Sequence, residues 1–147
     1  MGGLPTLVQN VECLARVALI ARGHAAPPRL LLTVGGAVRS PGVVEVDPGT
    51  TVREAIDRAG GASGSLRAVL MGGYFGSWLD AEAALDLELD AARLRDAGCS
   101  PGCGVLWLLP ADASPVDLTA RVSRSLAGES AARCGPCHWA VMIPRHK

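Results

Sequence analysis

The chain has 147 residues, enough for one domain with a real core and too few for a two-domain cofactor enzyme. Fourteen basic residues, 13 of them Arg, cancel 14 acidic ones, which argues against a nucleic-acid footprint or a polybasic membrane patch. Aromatics are only 3% and 23 residues are Ala, so the core must be built from Leu, Val and Ala.

Residues 6–21 are expected to form a helix, because Leu7, Val11, Leu14, Ala18 and Ala21 recur at spacings of three and four. Arg22-Gly23-His24 ends it, and Pro27-Pro28 prevents a restart. Residues 30–34 read as a buried strand that Gly35-Gly36 breaks or bulges. Ser40-Pro41-Gly42 is a turn signal and 43–46 the returning strand, so 30–46 is expected to be a hairpin.

Thr51-Val52-Arg53-Glu54 has capping-box spacing, and Val52, Ala55, Ile56 and Ala59 give its helix an apolar stripe stopped by Gly60-Gly61. Residues 66–71 form a third expected strand, closed by Gly72-Gly73. The stretch 74–103 carries weaker signals. Leu85-Asp86-Leu87-Glu88-Leu89 alternates as a half-buried strand would, and 91–97 suits one or two helical turns. Residues 104–109 read as a buried strand. Ser114-Pro115 opens a last helix, with Leu118, Val122 and Leu126 as its stripe up to Gly128. Residues 138–147 show no periodicity. The order implies an α+β, β-grasp-like sheet with a crossing helix, flanked by an N-terminal and a C-terminal helix.

No apolar run approaches the ~20 residues that span a bilayer, so no direct membrane insertion is expected. Residues 1–10 lack a basic stretch followed by a long apolar one, so no export signal is expected either. Five Cys without such a signal point to reduced thiols in a cytoplasm, where metal or redox chemistry outweighs disulfides.

Cys134-Gly135-Pro136-Cys137-His138 admits four readings. Two thiolates three apart can hold one face of an iron–sulfur cluster, although four ligands are normal. A thioredoxin-like pair matches literally, but it needs a strand before it and a helix after it. The Cys-x-x-Cys-His spacing also fits c-type haem attachment, which needs export. The fourth reading, ordinary thiols or a cluster site that has lost its function, weighs most. Cys99-Ser-Pro-Gly-Cys103 could complete a four-thiolate zinc site with Cys134 and Cys137. Ordinary packing, free Cys being a common small core residue, is the weightier reading of that pair. Neither Gly35-Gly36 nor Gly72-Gly73 fits a phosphate-binding loop, and no Ser–His–Asp or paired-carboxylate arrangement stands out.

The run from Thr33 to Ile56, followed by Ala59-Gly60-Gly61, closely resembles the soluble-ligand-binding β-grasp (SLBB) family. Its flanks resemble the flavoprotein subunit of complex I and related NADH dehydrogenases. Gly3-Leu-Pro-Thr-Leu-Val-Gln-Asn-Val-Glu-Cys-Leu is similar to the segment that ends the flavin domain of that flavoprotein, with Gln9 for the first Asn of the usual pair and Cys13 for Thr. Glu129-Ser-Ala-Ala-Arg-Cys-Gly-Pro-Cys is similar to the opening of its four-iron, four-sulfur site, with Ala131 at the first cysteine position.

The resemblance implies three parts: 1–28 from the end of the flavin-binding domain, 29–110 as the β-grasp domain, and 111–147 as a helix and the start of the iron–sulfur region. It implies Gln9 and Asn10 as a remnant of the FMN pocket wall, and Cys134 and Cys137 as a partial cluster site. The family passes electrons from NADH through FMN to the cluster, in a complex of several subunits. The nucleotide-binding part and a fourth cysteine are not in these residues, so the chain alone is expected to hold neither cofactor stably and to be inactive. It would then be cytoplasmic, peripheral to a membrane through its complex. The alternative is a stand-alone β-grasp module that binds a ligand or partner without catalysis.

Overall fold

The computed structural model describes residues 3, 5–24, 29–131 and 133–135. Helix α1 (Val11–Ala21) precedes the sheet, whose first part is a hairpin. Strand β1 (Leu30–Gly36) pairs antiparallel with β2 (Gly42–Val46), Leu30 opposite Val46 and Val34 opposite Gly42. Helix α2 (Val52–Arg58) follows, then β3 (Leu66–Met71), β4 (Ser77–Asp80), the short helices α3 (Ala81–Leu85) and α4 (Ala91–Asp96), β5 (Val105–Pro110) and helix α5 (Pro115–Gly128). The spatial order is β2-β1-β5-β3-β4. The last strand in sequence therefore lies in the middle, parallel to β1 and antiparallel to β3.

One face of this sheet holds the main core. Leu32, Val34, Val46, Val69, Met71, Leu106 and Leu108 pack there against Val52, Ala55 and Ile56 of α2, so the helix crosses the sheet as expected. Its start is the anticipated capping box: the Thr51 hydroxyl accepts from the Glu54 N–H and the Glu54 carboxylate from the Thr51 N–H at 2.8 Å. The Arg53 guanidinium ties α2 to Asp86 beyond α3 at 2.8 Å. Leu89, Leu94 and Cys99 close the same core from the side. Leu108 and Leu109, consecutive in β5, point to opposite faces and are both buried, in different clusters. Leu109 joins Ala68 and Leu118 of α5 in a smaller cluster on the opposite side.

Three expectations need correction. The first helix starts at Val11 rather than at residue 6, because the Asn10 side chain accepts from the Glu12 N–H at 2.8 Å and caps it there. Strand β1 runs through Gly35-Gly36 instead of breaking: the two glycines leave room for Trp107 and Leu108 of β5 beside them. Residues 85–89 do not form a strand. Leu85 ends α3, which Asp80 caps, and only an isolated Thr51–Glu88 bridge remains. The alternation still marks burial, since Leu85, Leu87 and Leu89 face the core while Asp86 and Glu88 face solvent. Strand β4 was not marked by any sequence signal.

Candidate functional site: thiols, the capped first helix and an open sheet face

The thiols fall into separate environments. The Cys99 N–H donates to the Leu94 carbonyl at the end of α4, and the side chain is buried, which pushes its thiol up from the usual range. Cys103 is exposed in the turn before β5, where its thiol donates to the Gly72 carbonyl at 3.3 Å. Any side chain on Gly73 would strike the Cys103 sulfur, so the Gly72-Gly73 turn and the Cys103 turn are fitted to each other. Cys134 is exposed beyond α5, whereas Cys137 and His138 lie outside the described residues. Among the described residues, no three His, Cys, Asp or Glu side chains are grouped so that they could hold a metal ion. The described thiols do not make up a cluster's ligand set.

Gln9 and Asn10 stand together just before α1, both exposed. The Asn10 carboxamide oxygen is occupied by the helix cap, which leaves its NH2 as a donor. The cleft between α1 and the hairpin, of about 630 Å³, is lined by Arg16, Leu19, Ile20, Arg29 and Leu31 among others, and by neither Gln9 nor Asn10. These two side chains offer amides at the start of α1, outside that cleft.

Polar contacts fix α1 in place. Arg16 donates to the Arg29 carbonyl at 3.0 Å and pairs with Glu12. Arg29 in turn bridges Glu45 at 3.2 Å and Asp47 at 2.9 Å on the hairpin side. The hydrogen bond that Arg29 donates to Glu45, then the charge of Asp47, raises the Arg29 guanidinium above its usual range. No residue of α1 is buried, and Val11, Leu14, Val17 and Ile20 are exposed. An amphipathic helix normally turns such residues to a core, so α1 presents an apolar surface outward.

Among the described residues the second face of the sheet is also open. Residues 31, 33 and 35 of β1, 105 and 107 of β5, and Leu70 of β3 lie on it, opposite the main core. Helix α5 covers it only in part, through Leu118 and Val122, and the Trp78 indole N–H donates to the Thr119 hydroxyl at 3.4 Å. Beside α5 a cavity of about 470 Å³ is lined by Thr33, Leu70, Val105, Trp107, Leu118 and Val122. The sequence missed it. Residues 104–109 are apolar throughout and read as a buried strand, yet Trp107 is 39% exposed. The one available signal was the two-residue period that groups Val105 with Trp107, away from Leu106 and Leu108.

A family model described as the SLBB domain matches residues 31–77. An NADH-quinone oxidoreductase protein of Rhizobium meliloti (strain 1021), the second of its F subunits, is 30% identical over 96% of this chain and 37% of its own length. The F-type NADH-quinone oxidoreductase protein of Escherichia coli (strain K12) is 31% identical over 97% of this chain and 36% of its own length. Among solved structures, the air-oxidized NAD+-reducing [NiFe]-hydrogenase superposes with a TM-score of 0.74 and 26% identity, over 97% of this chain and 26% of that one. The chain spans little more than a third of the length of the curated relatives it matches. No helix among the described residues is long and apolar enough to cross a membrane. The α+β sheet with its crossing helix, the SLBB match and similarity over nearly every residue agree: the chain is a homologue of a segment of the NADH-quinone oxidoreductase F subunits and carries an SLBB domain.

Proposed function

We propose that this chain is the β-grasp portion of an NADH dehydrogenase flavoprotein, the part that braces a flavin site on one side and an iron–sulfur site on the other. The observation that carries this reading is the extent of similarity, 96–97% of the chain against NADH-quinone oxidoreductase F subunits. In this reading residues 1–28 continue a flavin-binding domain, 29–110 form the brace, and 111–147 open the iron–sulfur region. Gln9 and Asn10 contribute amides to the flavin wall, and Cys134 and Cys137 contribute two thiolates to a four-iron, four-sulfur cluster. When bound, FMN accepts hydride from NADH and the cluster takes single electrons onward. The chain's own part is to hold the two sites at a fixed separation on a rigid sheet. Other subunits of a peripheral, cytoplasmic complex are its partners.

Because two thiolates fall short of a cluster's normal four and no nucleotide loop is among these residues, the chain alone turns over no NADH. The test is NADH-dependent ferricyanide reduction by the purified chain, and by the chain fused behind the flavin-binding segment of the Escherichia coli relative. Activity in the fusion and none in the chain alone is expected. Activity in neither, with a folded and flavin-loaded fusion, overturns the reading.

A second reading is favoured by the open face around Trp107: a β-grasp binding module that recognises a ligand or partner and does no chemistry.

A further inference from the structure

We propose that the cavity between the open sheet face and α5 binds a neutral, planar aromatic molecule against the indole of Trp107. This deepens the second reading above, and its test involves neither NADH nor flavin, so either reading can fail alone.

The shape begins with two sheet partners of Trp107. Gly35 lies opposite it on β1 and Leu70 opposite it on β3. A Cβ on Gly35 would stand 2.9 Å from Cζ3 and 3.0 Å from Cε3 of the indole. The missing side chain thus lets the ring lie against the β1 backbone. The ring lines the cavity together with Leu70 and Val105 of the sheet and Leu118 and Val122 of α5. The volume of about 470 Å³ is within the ordinary range for small-molecule pockets.

The charge pattern narrows the ligand. Among the described residues no Asp, Glu, Lys, Arg or His lines the cavity. Among the described residues its polar side-chain groups are the Thr33 and Tyr74 hydroxyls, the Trp107 indole N–H and the Cys103 thiol, the last already donating to the Gly72 carbonyl. An ionised ligand would lose its hydration there without a counter-charge, which is costly. A neutral ring gains apolar burial and an offset stack on the indole. That excludes nucleotides and flavin phosphates from this cavity, in contrast to any site near Gln9 and Asn10.

The test uses the full 147-residue chain and the neutral fluorescent probe N-phenyl-1-naphthylamine. Saturable one-site binding is expected, with quenching of tryptophan emission and little change on raising NaCl to about 1 M, because no ion pair contributes. Val122→Trp fills the cavity from the α5 side and should weaken binding at least about tenfold, a loss of roughly 1.4 kcal/mol. Trp107→Ala removes the stacking surface and should weaken it as well, while Val43→Ala, exposed on β2 and not lining the cavity, should leave it unchanged. Far-UV circular dichroism and the thermal transition establish that each variant is folded. Should Val122→Trp fold badly, Trp107→Ala and Val43→Ala decide the matter. Non-saturable binding, or affinity in folded Val122→Trp and Trp107→Ala unchanged from that of the unsubstituted chain, overturns the proposal. It also falls if sedimentation shows a dimer and the probe binds only on dilution to monomer, since a second copy then occupies this face.

Discussion

The Leu108 carbonyl occupies the space that a side chain on Gly36 would need. Gly36 also sits at φ +81°, where L-residues are strained. Gly36→Ala should therefore cost about 3 kcal/mol or more from strain and collision together. Gly49, at φ +85° in open space, provides the control: Gly49→Ala meets the dihedral strain alone, about 1 kcal/mol. Urea unfolding of the two variants should separate them clearly, and equal destabilisation would remove the role assigned to the Gly36–Leu108 contact.

Leu94 is fully buried although α4 has only six residues. Its side chain, not helix propensity, holds that segment against the core. Leu94→Ala should destabilise the fold by about 2–5 kcal/mol. A change under about 1 kcal/mol by urea titration would mean that 91–96 is a peripheral turn.

The capping carboxylates set an acid limit. Glu54 is held below its ordinary value of 4.5, first by the Thr51 backbone N–H, and Asp90 below 3.8, first by the Ala92 N–H. A folded pKa below the unfolded one adds stability that is complete above the ordinary value. That stability disappears as pH drops through the lowered one. Stability should thus be flat from neutrality to about pH 5 and fall below it. Glu54→Gln should flatten part of that fall, and Thr51→Ala should cost about 1 kcal/mol at pH 7. An unchanged acid limb in Glu54→Gln would refute the assignment.

Thiol labelling should follow burial. Cys103 and Cys13 are exposed, while Cys99 is buried and its thiol is pushed up. Because the thiolate is the reactive form, iodoacetamide at pH 8 should modify Cys13 and Cys103 well before Cys99, as read by peptide mass spectrometry. Early labelling of Cys99 would show that α4 opens readily.

What the sequence made legible was local. The hairpin, the Thr51 capping box and the Ser114-Pro115 helix start each rest on residues that meet within a few positions, and all three formed. Strand β4 escaped notice because Ser77–Asp80 is four residues long and owes its extended state to β3 rather than to any pattern of its own. The run 85–89 displayed the right burial but no ladder, since its only strand-like neighbour is Thr51. The start of α1 moved because Asn10 captured the Glu12 amide, a side-chain choice that periodicity does not register. Cysteine spacing identified pairs, but not that Cys99 would be buried and Cys103 exposed. The open face around Trp107 depends on the five-strand order, and no local signal encodes which side of a doubly apolar strand goes uncovered.

The central position of β5 has a consequence during synthesis. Its two neighbours, β1 and β3, leave the ribosome with the edges that face each other unpaired, and only residues 105–110 can join them. The β1–β5 pairing also closes a loop that begins near Thr33 and ends near Val105. Such distant pairing is slow to form. Until the last strand arrives, the nascent chain exposes two apolar strand edges at once, each able to pair with another chain. The interval between residue 71 and residue 110 is therefore when this polypeptide is most exposed to misassembly, and a chaperone that shields strand edges would act then.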